Sequence, residues 1–325
     1  MPEPLFPPPG PGLAVFLNAG DPAGRLTDLA LMLDTQGVDV LELAVPFPNS
    51  PTDGPVIRRS AARALEAGTT LDTVLAELAD LTPKLNHLKV ALLADWSHSL
   101  RHRDPAATTR AIADAGARAL LVHALPPRLR PAWQHALRTQ GLPQVTTCYP
   151  ASTPDTLHAA ARDATGAYVY LVAHYGRSGT TPATGHHALA DTVTALRSAA
   201  PGTPVAVGFG VKSAADLRAV AASGADAAIV GSAAVARLED AAAEGLDPVE
   251  ELRAFLTDLR PDPSAHPHRP GGPSTTTHTG TTTVHTGTTT VHTGTTGTTV
   301  HTCVHTPTTV PATASTPTRK DRPAC

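Results

Sequence analysis

Eight short and almost uninterrupted apolar runs punctuate this chain: LAVFLN (13–18), VDVLEL (38–43), LKVALLA (88–94), ARALLVH (117–123), PQVTTC (143–148), AYVYLV (167–172), PVAVGF (204–209) and DAAIVG (226–231). None alternates apolar with polar, so each reads as a strand covered on both faces. Longer amphipathic text such as PAATTRAIADAG and SAADLRAVAASG separates them, and Gly37, Gly116, Gly141 and Gly224 stand where those helices should end. Eight β-then-α units in roughly 250 residues predict a closed parallel (β/α)8 TIM barrel, fold class α/β. An open doubly wound sheet is the competing arrangement, but FLNAGDPAG after the first run lacks the G-x-G-x-x-G such a fold uses for a dinucleotide.

Composition divides the chain into three parts. Residues 1–11 form a Pro-rich arm, residues 12–260 supply the barrel, and from Pro261 to Cys325 the text turns to Thr, His, Gly and Pro. That tail has too few large apolar side chains to bury a core and is expected to be a disordered, low-complexity segment. Its near-heptads place His278, His285 and His292 seven residues apart, but Thr and Gly disfavour a helix there, so no dedicated metal site is expected.

With 25 basic and 28 acidic side chains and no basic block interleaved with aromatics, a nucleic-acid partner is not expected. The N-terminus lacks a signal pattern and no membrane-spanning run occurs, so no membrane partner is expected either. Cys148, Cys303 and Cys325 show no paired spacing, which fits a reducing, cytoplasmic setting.

The candidate chemistry sits at the ends of the runs, where a barrel places its active site. Glu42 lies next to the last residue of the second run and Asp53 in the loop after it. One alternative makes Asp53 a turn former or helix cap before Pro55. Two carboxyls in different environments can instead hold different pKa values, so that one moves protons while the other stays charged. HYGRSGTT (174–181), GFGVKSAAD (208–216) and GSAAVARLED (231–240) follow the last three runs. Glycines and a helix start there predict a phosphate cradle, hence a phosphorylated small substrate.

The segment LELAVPFPNSPTDGPVIRRSAARALEAGTTLDTVL resembles the most diagnostic stretch of the tryptophan synthase α subunit family, and FLNAGDP, AYVYLV, PVAVGFGVKSAADL and AAIVGSAAV match its other landmarks in order. The resemblance implies a lyase that cleaves indole-3-glycerol phosphate to indole and glyceraldehyde 3-phosphate by a retro-aldol reaction. It also implies no cofactor for this chain, the pyridoxal phosphate belonging to a β subunit partner in an α2β2 assembly. By position, Glu42 resembles the catalytic acid/base and Asp53 the acid that holds the indole N–H. Phe16, Tyr170, Ser178 and Phe209 resemble substrate-binding positions, and Gly179, Gly210, Gly231 and Ser232 phosphate-binding ones.

The departures from the pattern avoid both acids. Asn49 replaces an aspartate linked to communication with the β subunit, and Ala124 replaces an acid in HALP, which weakens the expectation of that partner. Asp95, Trp96 and Ser97 stand for a Y-x-N, and His174 for an arginine. PEPLFPPPGPG replaces the helix that normally covers the barrel bottom, since prolines forbid one. Two other readings stay open at this point: the same lyase working without a β subunit, and a non-catalytic barrel that binds a phosphorylated ligand.

Overall fold

The computed structural model describes residues 3–7, 10–172, 187–208 and 210–260, apart from the side chains of 187 and 188. Each apolar run becomes a strand: β1 (Gly12–Asn18), β2 (Val40–Ala44), β3 (Lys89–Asp95), β4 (Ala119–His123), β5 (Thr146–Cys148), β6 (Val169–Val172), β7 (Val205–Gly208) and β8 (Ala227–Val230). All pair in parallel in the order β4-β3-β2-β1-β8-β7-β6-β5. The two ends of that sheet meet where Leu120 N–H donates to Pro143 O and Val145 N–H to Leu120 O, at 2.9 and 3.0 Å. The sheet is thus a nearly closed barrel.

Between the strands run α1 (Leu26–Thr35), α2 (Pro55–Glu66), α3 (Leu71–Leu81), α4 (Pro105–Asp114), α5 (Arg130–Gln140), α6 (Pro154–Asp163), α7 (His187–Ala199), α8 (Ala214–Ala222) and α9 (Ser232–Glu244), with α10 (Pro248–Leu259) closing the described chain. Several begin with proline at a position whose N–H has no helical partner, behind a side-chain cap from Asp104, Thr153 or Asp247. Gly37, Gly116, Gly141 and Gly224 all take positive φ at helix ends, as expected.

Alternation along each strand sorts side chains into two sets. Leu13, Val15 and Leu17 of β1 pack outward among the helices, while Ala14 joins Val40, Ala91, Ala119, Ala206, Ala227 and Ile229 inside the barrel. Alanines dominate the lower part of that interior and leave it wide. The N-terminal arm fills the space: Leu5 and Phe6 are 4% and 6% exposed, and the Phe6 ring meets Tyr168 edge-on with centroids 5.1 Å apart. Gly12 is small because a Cβ there would lie 2.6 Å from Phe6 Cδ1. Prolines do exclude a helix, yet the arm still covers the barrel bottom, by insertion of two apolar side chains rather than by a helix. Truncation of Phe6 to alanine should cost about 3 kcal/mol of stability, read from urea unfolding, because the cavity it leaves cannot collapse onto alanines.

A network of ion pairs frames the other end. Arg63 of α2 grips Asp21 with two hydrogen bonds, Nε–Oδ1 at 2.8 Å and Nη2–Oδ2 at 2.7 Å, and reaches Glu239 of α9, which also pairs with Arg59. Hydrogen bonds from Arg59, then Arg63, hold the Glu239 carboxyl at about 2 against its burial. The network ties α2, which follows Asp53, to α9, which begins at Ser232.

Candidate active site

The inward series of the strands climb from the alanine floor to the rim at the C-terminal ends. They finish at Asn18, Ala44, Asp95, His123, Val172, Gly210 and Gly231, all of which line one cavity of about 370 Å³. This is the size and place expected of a small-molecule site in such a barrel.

Glu42 lies in the middle of β2, not next to its end, because β2 runs on to Ala44. Its register partners are Phe16 on β1 and Ala91 on β3. It is completely buried, and Tyr168 Oη donates to its Oε1 at 2.5 Å. Its other oxygen, Oε2, has no hydrogen bond among the described residues. Burial pushes the carboxyl up from the ordinary 4.5 to about 7, and the Tyr168 hydrogen bond only partly opposes this. Glu42 does not line the cavity itself; it lies one inward position below Ala44, which does. A Tyr168→Phe change should raise the Glu42 pKa further, since it deletes the one hydrogen bond that favours the charged form. Carbon-13 NMR titration of the Glu42 carboxyl reads that shift, and an unmoved value would contradict it.

Asp53 is half-buried on the cavity wall. Burial raises its carboxyl above the usual range, opposed by a hydrogen bond from Ser50 and by the charges of His123 and Arg58. It does not cap α2: the N-cap is Gly54, with extended backbone before Pro55. Tyr170, two residues beyond Tyr168 and one layer higher, lines the cavity, and burial followed by the charges of Glu42 and Asp53 raises its phenol well above the ordinary value. Gly208 makes room for that ring, since a Cβ would fall 2.5 Å from Tyr170 Oη. Phe16 also lines the cavity.

Gly210 and Gly231–Ser232 line the same cavity. Gly210 has φ 82, a conformation glycine takes without cost. Gly231 is the N-cap of α9 and Ser232 its first residue, so N–H groups that have no partner within the helix begin at the cavity. Lys212 joins this lining and adds a cation that sequence reasoning passed over, although it follows GFG by only one residue. Ser178, Gly179, Phe209 and His174 lie outside the described residues, as does the tail 261–325.

Further members of the site escaped the reading of the sequence. Tyr168 was hidden because only the fold carries it across the barrel to a carboxyl 126 residues away. His123 could have been found from the inward series Ala119, Leu121, His123. Asn18 also lines the cavity and donates to Ser60 Oγ and Ile57 O, pinning the first two turns of α2. The departures Asn49 and Ala124 both adopt left-handed backbone, φ 57 and 53; asparagine visits that region readily, alanine at some cost.

Comparison with known proteins agrees with this geometry. A family model for the tryptophan synthase alpha chain matches residues 10–261. The tryptophan synthase alpha chain of Cupriavidus metallidurans is 36% identical over 250 residues, covering 77% of this chain and 92% of that one. That of Burkholderia pseudomallei strain K96243 is 36% identical, covering 77% and 90%. Among solved structures, tryptophan synthase subunit alpha from Legionella pneumophila superposes with a TM-score of 0.68 at 26% identity, covering 77% of this chain and 91% of that one. A chain of tryptophan synthase from M. tuberculosis superposes with a TM-score of 0.65 at 27% identity, covering 76% and 90%. A barrel of this order, with Asp53 and the start of α9 on one cavity and a match of this length, belongs to the tryptophan synthase alpha chain family.

Proposed function

We propose that this chain cleaves indole-3-glycerol phosphate to indole and glyceraldehyde 3-phosphate, with Glu42 as the acid/base and Asp53 as the partner of the ring N–H. The observation that carries the reading is a buried carboxyl with a pKa of about 7 just below a cavity that is lined by a second acid, Asp53, and by the start of α9. Indole is a poor leaving group until C3 gains a proton. Glu42, half-protonated near neutrality, is suited both to give that proton and to take one from the hydroxyl on the carbon bonded to C3. The electrons of the breaking C–C bond then return to the ring, and the hydroxyl carbon becomes the aldehyde. Asp53, charged beside the ring nitrogen, stabilises the cation formed in between. Gly210, Gly231 and Ser232, with Lys212 beside them, hold the phosphate, and Phe16 and Tyr170 flank the ring. The family needs no cofactor for this half of its chemistry.

A pyridoxal-phosphate-dependent β subunit would consume the indole. The related M. tuberculosis chain comes from structures of tryptophan synthase. Asn49 and Ala124, on the loops after β2 and β4, are where this chain departs from the pattern that couples to such a partner.

Indole release by the purified chain, with and without the β subunit of the same organism, tests both statements. Release that rises on adding β is expected. Release indifferent to β would leave a lyase that works alone, and silence in both would overturn the reading.

A further inference from the structure

The cavity rim holds a cluster that the lyase reading does not use. Asp95 ends β3 and His123 ends β4, and the two are register partners in the inward series. Asp95 is 3% exposed. Its Oδ2 lies 3.0 Å from His123 Nδ1, while its Oδ1 lies 2.7 Å from both Ser97 Oγ and His98 Nδ1 and 3.0 Å from the His98 backbone N–H. Burial alone would raise this carboxyl, but hydrogen bonds from Ser97, His123 and His98 hold it at about 2. An ionised carboxylate only accepts, so Nδ1 of His123 carries its hydrogen toward Asp95 and the ring cannot turn freely.

Both imidazoles stack on one partner. Phe47 lies 5.5 Å from the His98 ring and 5.6 Å from the His123 ring, at 28° and 30°. Phe47 belongs to the β2–α2 loop, six residues before Asp53. His123 and Asp53 line the same cavity, and the charge of His123 acts on the Asp53 carboxyl. A single buried carboxylate therefore joins the segments after β3 and β4, and Phe47 of the β2–α2 loop, which carries the acid assigned to the ring N–H, stacks on the imidazoles of both.

We infer that Asp95 and His123 are positioning residues for Asp53: Asp95 locks the His123 ring, and His123 with Phe47 holds the β2–α2 loop so that the Asp53 carboxylate stays charged and faces the cavity. This rests on the role given to Asp53 above. Arg58 from α2, Ser50 from the loop and Tyr170 from β6 also face Asp53, and Lys212 lines the same cavity, so His123 shares the task rather than performing it alone.

His123→Phe separates the polar role from packing, because the new ring can still stack on Phe47; circular dichroism checks that it folds. Carbon-13 titration of the Asp53 carboxyl should move upward by about half a pH unit or more in this variant, and in the same direction in Asp95→Asn. Indole release should fall about tenfold in kcat/KM for His123→Phe, but by less than about twofold when the change is made on an Asp53→Asn background, because the effect passes through Asp53. An Asp53 titration that stays put overturns the inference, as does an equal loss in both backgrounds. The titration needs no turnover, so it gives an answer even in a chain that releases no indole. An unmoved titration in an active enzyme would overturn this inference and leave the lyase reading standing.

Discussion

Glu42→Gln should reduce indole release about a thousandfold, the midrange of what a positioned acid/base supplies, while the chain stays folded. Glutamine keeps the shape and the oxygen that accepts from Tyr168 Oη, but it can neither give nor take a proton at this pH. The same substitution carries a stability signature that activity does not. Burial holds the folded Glu42 at about 7 against an ordinary 4.5, so the folded state binds this proton more tightly than the unfolded one. The associated stability is fully present below pH 4.5 and is lost as pH rises through 7. The shift corresponds to about 3 kcal/mol for a completely buried group. Urea unfolding at pH 5 and pH 8 should show wild-type losing roughly that much more than Glu42→Gln between the two pH values. Parallel losses would mean that Glu42 is not held protonated by burial, and the assignment of acid/base would lose its physical basis.

Asp53→Asn should lower kcat/KM about a hundredfold, the scale of removing one preorganised electrostatic partner of a transition-state charge. The amide is nearly isosteric and still accepts from Ser50, so loop geometry is retained and what disappears is the negative charge next to the cationic ring. Loss in kcat should exceed any rise in KM, because the ring is neutral in the bound substrate and charged only on the way to cleavage. A change confined to KM would instead make Asp53 a simple binding group. Below neutrality the wild-type rate should also decline as Asp53 protonates, at a pH above that of an ordinary aspartate because burial raises it.

Most of the barrel was legible because each element announces itself locally. Runs buried on both faces need no alternation, several helices begin with a capping side chain before proline or end on glycine, and the first and last residues of each run moved by only a few positions. The loop acid, the glycines and the helix start were legible for the same reason: their chemistry is carried by residue type at a fixed offset from a strand end. What could not be read was the company each residue keeps. PEPLFPPPGPG shows that no helix forms, but not that Leu5 and Phe6 turn into an interior left wide by Ala14, Ala91 and Ala206. HALP and DWS read as two separate departures from a pattern, and only the pairing of β3 with β4 makes Asp95 and His123 one hydrogen-bonded unit.

By itself, the amino-acid sequence determined the alternation of strands and helices, the barrel class and the place of Asp53 and a glycine-lined helix start at the strand ends, because local propensity and spacing along the chain suffice for these. The tertiary structure alone decided what those groups can do. Closure of the sheet brings Tyr168 against Glu42, removes the carboxyl from water and raises its pKa into the working range, and it sets a locked histidine beside Asp53. Desolvation and charge proximity depend on distances between residues far apart in the chain, and only the folded barrel sets those distances.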